Sequence, residues 1–224
     1  MRYLGLAMFA GMLSMPSSAE VSANLTFVSD YLFAGVSQTS GTPALQGGIE
    51  YAHDSGFSIG TWASTVDFKD GSSADAEVDI YIGYSGETDS FSYSATLLQY
   101  IYPDLVSGAD YDYAELLLSL ETKQGFSVAL GYSNDEFASD EAGVRLELGY
   151  SIELADDVAV SFGLGHFDLD DVSGDSYQYF STGISKSWDN FSGSFTIHKN
   201  SSNAETMFGK NGEDRAVLSV GYSF

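Results

Sequence analysis

The sequence predicts an all-β fold, an antiparallel up-and-down transmembrane β-barrel of about 12 strands. Three observations carry this prediction. Apolar residues recur at every second position, the alternating segments are each about ten residues long, and short and long connections alternate between them. Side chains two positions apart share one face of a strand, whereas a helix would scatter them. Tilted strands of this length cross a bilayer.

Residues 1–19 have the composition of a secretory signal peptide. Arg2 supplies a positive charge, and residues 3–15 form a mostly apolar run that is too short to cross a bilayer as a helix. Small residues precede the expected cleavage after Ala19. We therefore predict an exported protein whose barrel domain is residues 20–224, with a buried N-terminal helix as the alternative.

Residues 144–154 show the period of two most plainly. Val144, Leu146 and Leu148 alternate with Arg145 and Glu147, so a strand would sort them onto two faces. The predicted strands are 23–35, 44–53, 56–67, 77–86, 90–102, 111–122, 125–134, 142–154, 157–167, 177–188, 190–199 and 214–224. An even number suits a bacterial barrel whose two termini lie on the same side of the membrane.

The connections between these strands alternate in length. The short ones are 53–56, 86–89, 123–125, 155–156 and 189–190, and the long ones are 36–43, 68–76, 103–110, 135–141, 168–176 and 200–213. Barrels of the outer membrane have short periplasmic turns and longer external loops. A soluble periplasmic β-sandwich, the alternative fold, gives no reason for such regular alternation.

Aromatic residues recur near the strand ends, as they do in the girdles of membrane barrels. The alternative is an ordinary β core. The expected girdle comprises Phe57, Tyr84, Phe91, Phe126, Tyr150, Trp188, Phe191 and Tyr222, with Tyr132 at the opposite rim. The last residue, Phe224, ends an alternating strand and resembles the signal by which outer-membrane barrels engage their assembly machinery. With the signal peptide, this predicts the outer membrane of a Gram-negative bacterium.

Composition excludes several functions. Eight Lys and Arg against 32 Asp and Glu give a net charge of −24, which argues against nucleic acid as a partner. No Cys is present, so thiolate chemistry is excluded. The three histidines, His53, His166 and His198, fall in no hydrolase or zinc motif. We expect no enzyme, no cofactor and no metal site.

The polar face of the strands predicts the pore lining. Its candidate residues are Glu50, Trp62, Glu77, Asp79, Tyr81, Glu115, Glu121, Arg145, Glu147 and Glu153. Acids outnumber the one Arg, and rings of acids favour cations. We therefore expect a weakly cation-preferring channel for small hydrophilic solutes. Alternatively, the acids are solvated or pair with Arg145, Arg215 and Lys186. With about twelve strands the lumen is narrow, and Tyr81, Trp62 or an infolded loop would close part of it.

The long loops are acidic, which favours a solvated surface in contact with lipid and lipopolysaccharide. Asp168, Asp170, Asp171 and Asp175 are a weaker candidate for binding Ca²⁺, because they lack the spacing of a known calcium loop. The rival function is a non-conducting structural or adhesive barrel whose acidic loops contact partners.

The first third of the barrel domain resembles the TorF family of porins. The matching segments are 28–31, 35–39, 43–48, 51–53, 56–57, 60–64 and 66–68, with looser matches at 77–79, 83–84, 102–103 and 113–115. The resemblance implies export, an outer-membrane barrel and a pore, without a defined substrate. The family pattern has Arg at the two positions held here by Leu32 and Ala34.

Overall fold

The computed structural model describes residues 19–103, 105–107, 109–154 and 157–224. The predicted signal peptide, except Ala19, and the predicted turn 155–156 lie outside the described residues. Twelve strands close into one barrel, and a separate pair, β2 and β3, forms a small hairpin. The strands are β1 (Glu20–Val28), β2 (Leu32–Phe33), β3 (Val36–Ser37), β4 (Ala44–Ala52), β5 (Phe57–Thr65), β6 (Ala76–Glu87), β7 (Phe91–Ile101), β8 (Tyr113–Thr122), β9 (Phe126–Ser133), β10 (Gly143–Glu153), β11 (Val158–Asp168), β12 (Tyr177–Trp188), β13 (Phe191–Asn200) and β14 (Arg215–Ser223).

Every neighbouring pair of strands in the barrel is antiparallel. The strands follow chain order around the barrel, and β1 closes the ring by pairing with both β4 and β14. There, Phe27 lies opposite Leu45 on β4 and opposite Val220 on β14. Closure leaves the barrel without an unpaired strand edge, so backbone groups are satisfied by neighbouring strands all round. The predicted antiparallel barrel of twelve strands is confirmed.

The two ends of the barrel differ. At one end, here called the turn end, short turns join β4 to β5, β6 to β7, β8 to β9, β10 to β11 and β12 to β13. At the other, the loop end, longer connections carry the β2–β3 hairpin and two short helices, α1 (Asp170–Ser173) and α2 (Ser202–Phe208). None of the described helices is long and apolar enough to span a membrane.

The large apolar side chains face outward around the barrel. Ile59, Leu148 and Leu164 are each about half exposed, at 54%, 49% and 53%. A water-soluble sandwich would bury these side chains between its sheets, so that alternative is wrong for this fold.

One predicted strand is wrong in its extent. Residues 23–35 were expected to form a single strand, but β1 starts at Glu20 and ends at Val28. The chain leaves the barrel wall at this point and turns back. Asp30 holds this turn, because its Oδ1 accepts hydrogen bonds from Ser37 Oγ at 2.6 Å and Thr39 Oγ1 at 2.9 Å. The connection predicted at 36–43 therefore starts several residues earlier.

Candidate functional site in the barrel lumen

The polar face of the strands points into the barrel and defines a lumen. On β6, Glu77, Asp79 and Tyr81 are buried, whereas Ile80 and Ile82, which point to the opposite face, are half exposed. The alternation that predicts strands therefore also separates an apolar exterior from a polar interior.

A short segment, residues 30–39, folds back into the lumen from the loop end. We call it the lumen hairpin, and β2 and β3 form its two arms. The ring of Tyr31 meets Trp62 edge-on with centroids 5.5 Å apart. Phe33 meets Tyr100 at 6.0 Å and Phe167 at 6.1 Å in the same manner. Since these partners lie on β5, β7 and β11, the hairpin crosses the lumen from wall to wall.

Polar contacts hold the lumen hairpin in place at both of its ends. At the base, Arg215 Nε on β14 lies 3.2 Å from Asp30 Oδ2, as a charge contact without the alignment of a hydrogen bond. At the tip, the Tyr177 hydroxyl donates to the carbonyl of Ala34 at 3.0 Å, and Asn200 Nδ2 donates to that of Gly35 at 2.9 Å.

The other loops close over the hairpin. Leu169 and Ala204 are fully buried in the same apolar cluster as Ala34. Phe137, from the 3₁₀ turn Glu136–Ala138 between β9 and β10, packs against Phe167 with ring centroids 6.1 Å apart. The lumen hairpin and these loops together pack into the loop-end half of the lumen.

Hydrogen bonds from hydroxyl groups and one arginine satisfy three of the lumen carboxylates. Glu77 accepts from the hydroxyls of Tyr31 and Tyr102, each at 2.7 Å. Arg145 Nη2 donates to both oxygens of Glu115, at 2.8 and 2.9 Å.

Glu147 is the third of these carboxylates. It accepts from the Tyr179 hydroxyl at 2.6 Å and from Arg145 Nη1 at 3.2 Å. The same guanidinium lies 4.7 Å from the ring centroid of Phe33, so it also contacts the lumen hairpin.

The titration of two groups outside the strands is shifted by this environment. Burial, followed by the negative charge of Glu115, raises the pKa of Glu136 to about 8, against an opposing effect of Arg145. Burial and then Glu77 raise the pKa of the Tyr31 hydroxyl well above its usual value. Tyr31 therefore stays protonated and can donate to Glu77.

The turn-end half of the lumen is different in character. Its inward positions carry mostly Ser, Thr and Gly, many of them partly exposed. Ser94 and Ser119 lie 2.6 Å apart across β7 and β8, and Ser194 and Ser219 lie 2.7 Å apart across β13 and β14. Small hydroxyl side chains leave this half wider than the half that the hairpin fills.

The structure brings most of the expected pore-lining residues to the lumen. Those with buried inward side chains are Glu50, Trp62, Glu77, Asp79, Tyr81, Glu115 and Arg145. Glu121 and Glu147 are partly buried, and Glu153 is exposed at the turn end of β10. Of the expected cations, Arg145 and Arg215 pair with acids, whereas Lys186 is exposed on an outward position of β12.

The expected girdle residues lie together at the turn end. Ring contacts join Phe57 to Tyr84 at 5.0 Å and Phe126 to Tyr150 at 4.6 Å. A chain of further contacts links Trp188, Phe191, Tyr222 and Phe224, and Phe91 contacts Tyr93. Tyr132 is exposed on β9 near the loop end.

Sequence reasoning missed the residues that position the lumen hairpin, namely Asp30, Ser37, Thr39 and Asn200. It also missed Glu136, which belongs to the loop 135–141 for which the sequence predicts a solvated surface. The one available signal was the pair of family-like segments at 28–31 and 35–39, which overlap the hairpin. The histidines do not converge: His53 lies in a turn, His166 contacts Gln178 on the outer face, and His198 faces the lumen.

Several solved porin structures have the same fold. A KdgM porin in complex with disordered oligogalacturonate superposes with a TM-score of 0.59 at 13% identity, over 91% of this chain and 99% of that one. Another KdgM porin structure gives 0.57 at 13% identity over the same shares. A NanC porin gives 0.54 at 7% identity, over 92% of this chain and 99% of that one. At such identities the likeness establishes the fold alone.

Sequence comparison identifies the family. No curated protein sequence matches this chain. A family model described as "Bacterial protein of unknown function (Gcw_chp)" matches residues 14–224, nearly the whole sequence. The chain therefore belongs to the Gcw_chp family of bacterial proteins.

Proposed function

We propose that this protein is an outer-membrane channel for the passive diffusion of small hydrophilic solutes. The observation that carries the proposal is the closed barrel, whose outward side chains are apolar and whose inward side chains are polar. Such a surface is stable in lipid, where every backbone polar group must be paired within the protein. The turn end would face the periplasm and the loop end the exterior.

The lumen hairpin makes this a channel that conducts when the hairpin moves. The hairpin belongs to a loop, not to the wall, and a few hydrogen bonds and one ion pair hold its base and tip. Its displacement would leave the barrel hydrogen bonds intact and join the hydroxyl-lined half of the lumen to the exterior. Open and closed forms of the channel would then differ in one loop.

The charge of the lumen favours cations over anions. Its inward acids include Glu50, Glu77 and Asp79, whereas both lumen arginines are already paired with carboxylates. Oligogalacturonate, named with one KdgM porin, is a chain of carboxylates. An acidic lumen would repel such a chain. Leu32 and Ala34, uncharged on the hairpin, add no positive charge either.

Targeting and partners are also part of the proposal. We propose cleavage after Ala19, insertion by the barrel assembly machinery through the strand that ends at Phe224, and contact with outer-membrane lipid and lipopolysaccharide. Phe224 is 74% exposed at the turn end, where it is accessible to a partner. The resemblance of residues 28–31 and 35–39 to the TorF family of porins supports the same assignment.

A second candidate is a non-conducting structural or adhesive barrel. The observation that favours it is the depth of the lumen closure, since Tyr31, Leu169 and Ala204 are almost completely buried. In this case the hairpin would be permanently seated and the acidic loops would contact partners.

Conductance of the purified protein in planar bilayers distinguishes the two functions. We expect discrete current steps in KCl, and more of them from a variant in which a Gly-Ser linker replaces residues 31–39. Unboiled electrophoresis, in which a folded barrel migrates differently from the boiled protein, serves as the folding control. If the variant with the Gly-Ser linker folds but passes no current, the channel proposal is overturned and the structural barrel remains.

A further inference from the structure

Asp79 is the one inward carboxylate of β6 that the described residues leave unsatisfied. Its side chain is fully buried, at 0% exposure, and neither carboxylate oxygen has a hydrogen-bond partner among the described residues. Its neighbour Glu77, two residues earlier on the same face, accepts two tyrosine hydroxyls. Burial without a partner disfavours the charged form of a carboxyl group, so Asp79 becomes a charged site only when water or an ion reaches it.

The surroundings of Asp79 add no positive charge. Across the strands it lies opposite Trp62 on β5 and Tyr100 on β7. The charges that act on it most strongly are those of Glu77 and Glu115, both negative. The guanidinium of Arg145 is already shared between Glu115 and Glu147. The electrostatic potential at Asp79 is therefore negative and uncompensated.

Asp79 also lies at the boundary between the two halves of the lumen. Trp62, its partner on β5, contacts Tyr31 of the lumen hairpin at 5.5 Å. On the side toward the turn end comes Tyr81, and below it the lumen is lined by small hydroxyl residues. A solute that passes the hairpin would meet Asp79 next.

We propose that Asp79 is the cation-binding carboxylate of the channel, occupied by a monovalent cation when the lumen hairpin moves. The proposal rests on the proposed function and names the residue that determines its selectivity. In the part of the chain that the structure describes, no three His, Cys, Asp or Glu side chains come together as a metal site. A single carboxylate binds a monovalent ion weakly enough to release it, which conduction requires.

The test is the reversal potential of Asp79→Asn across a KCl gradient. The permeability ratio of K⁺ to Cl⁻ is expected to fall about fivefold, the Boltzmann equivalent of one contact between unit charges in water. Asp79→Glu, which keeps the charge, should retain the ratio. Asp89→Asn is the matched control. Asp89 is exposed in the turn after β6, so this substitution removes the same charge outside the lumen. Its ratio should equal that of the unaltered protein.

The outcomes separate this inference from the proposed function. If neither the unaltered protein nor the variant with a Gly-Ser linker in place of residues 31–39 conducts, the channel proposal fails. If the unaltered protein conducts and Asp79→Asn leaves the ratio unchanged, the channel stands and the role of Asp79 is overturned. Asp79→Ser serves as a second neutral variant should the Asn variant fail to show the heat-modifiable migration of a folded barrel. An unchanged ratio in the Ser variant counts equally against the inference.

Discussion

Arg145 organises much of the lumen from a single inward position on β10. Its guanidinium bridges Glu115 and Glu147 and also covers the ring of Phe33. A planar guanidinium suits this position because it can donate to two carboxylates while its face contacts an aromatic ring. A buried ion pair contributes little net stability, because its desolvation offsets its attraction. Its value here is geometric, since it couples the barrel wall to the lumen hairpin.

Glu136 gives the folded protein a dependence on pH. Its pKa in the folded protein is about 8 against 4.5 for the free side chain, because burial and Glu115 disfavour its charged form. Between these values the folded state binds more protons than the unfolded state, so the free energy of unfolding falls as pH rises from 4.5 through 8. Arg145, Tyr113 and Tyr102 also face the group, and the tyrosines stay neutral in this range.

We expect Glu136→Gln to weaken that dependence on pH. The measurement is the urea midpoint of the protein in phospholipid vesicles between pH 5 and pH 9. Glu141→Gln, an exposed acid in the same loop, should keep the slope of the unaltered protein. Parallel slopes for the unaltered protein and Glu136→Gln would show that other groups cause the dependence.

At the scale of elements, a substitution at Gly35 tests how closely the tip of the lumen hairpin packs against the barrel. It has a φ of +81°, and a Cβ at this position would lie 2.5 Å from Asn200 Oδ1 and 2.9 Å from Tyr179 Cβ. Overpacking of this kind costs about 1–3 kcal/mol, which shifts the balance toward a released hairpin by about 5-fold to 150-fold. We therefore expect Gly35→Ala to open more often in bilayers and to be cut faster by chymotrypsin at Tyr31 or Phe33.

Gly41→Ala is the matched control for this prediction. Gly41 also has a left-handed backbone, with a φ of +77°, but a Cβ there would meet nothing within 4 Å. It therefore carries the same backbone strain, about 1–2 kcal/mol, without the clash. Equal cleavage rates in the two variants would mean that strain alone, not the fit at Asn200 and Tyr179, governs the hairpin.

The strands of the barrel wall could be predicted from the sequence, but the hairpin inside the lumen could not. Strands such as β6 and β10 were predictable because each has one lipid-facing and one lumen-facing side, which imposes a period of two. Leu32 and Phe33 carry no such information. An apolar residue that packs inside the lumen looks the same in sequence as one that faces lipid. The predicted strand therefore ran through Val28 into the hairpin, and Asp30 was not recognised as the residue that ends it.

The acidic lumen shows the same limit at the level of the site. Alternation places Glu77, Asp79 and Glu115 on one face, and all three side chains are buried. Which of them is satisfied depends on tyrosines and an arginine from β7, β10 and the loops. Such contacts join residues far apart in sequence, and no local pattern specifies them. Asp79 could be singled out only once its neighbours were in place.

At the scale of the whole molecule, the outward apolar surface predicts how the barrel responds to charge. Leu148 and Ile152 are both exposed on the outer face of β10, one at its middle and one near the turn end. An arginine on the lipid face costs about 2–4 kcal/mol at the bilayer midplane and about 0–1 near the interface. Leu148→Arg should therefore lower the free energy of unfolding in vesicles much more than Ile152→Arg does. In detergent micelles, which adapt around a charge, the difference should shrink. Equal losses at the two positions in vesicles would mean that β10 does not cross a bilayer, and every assignment that depends on an outer-membrane barrel would fall with it.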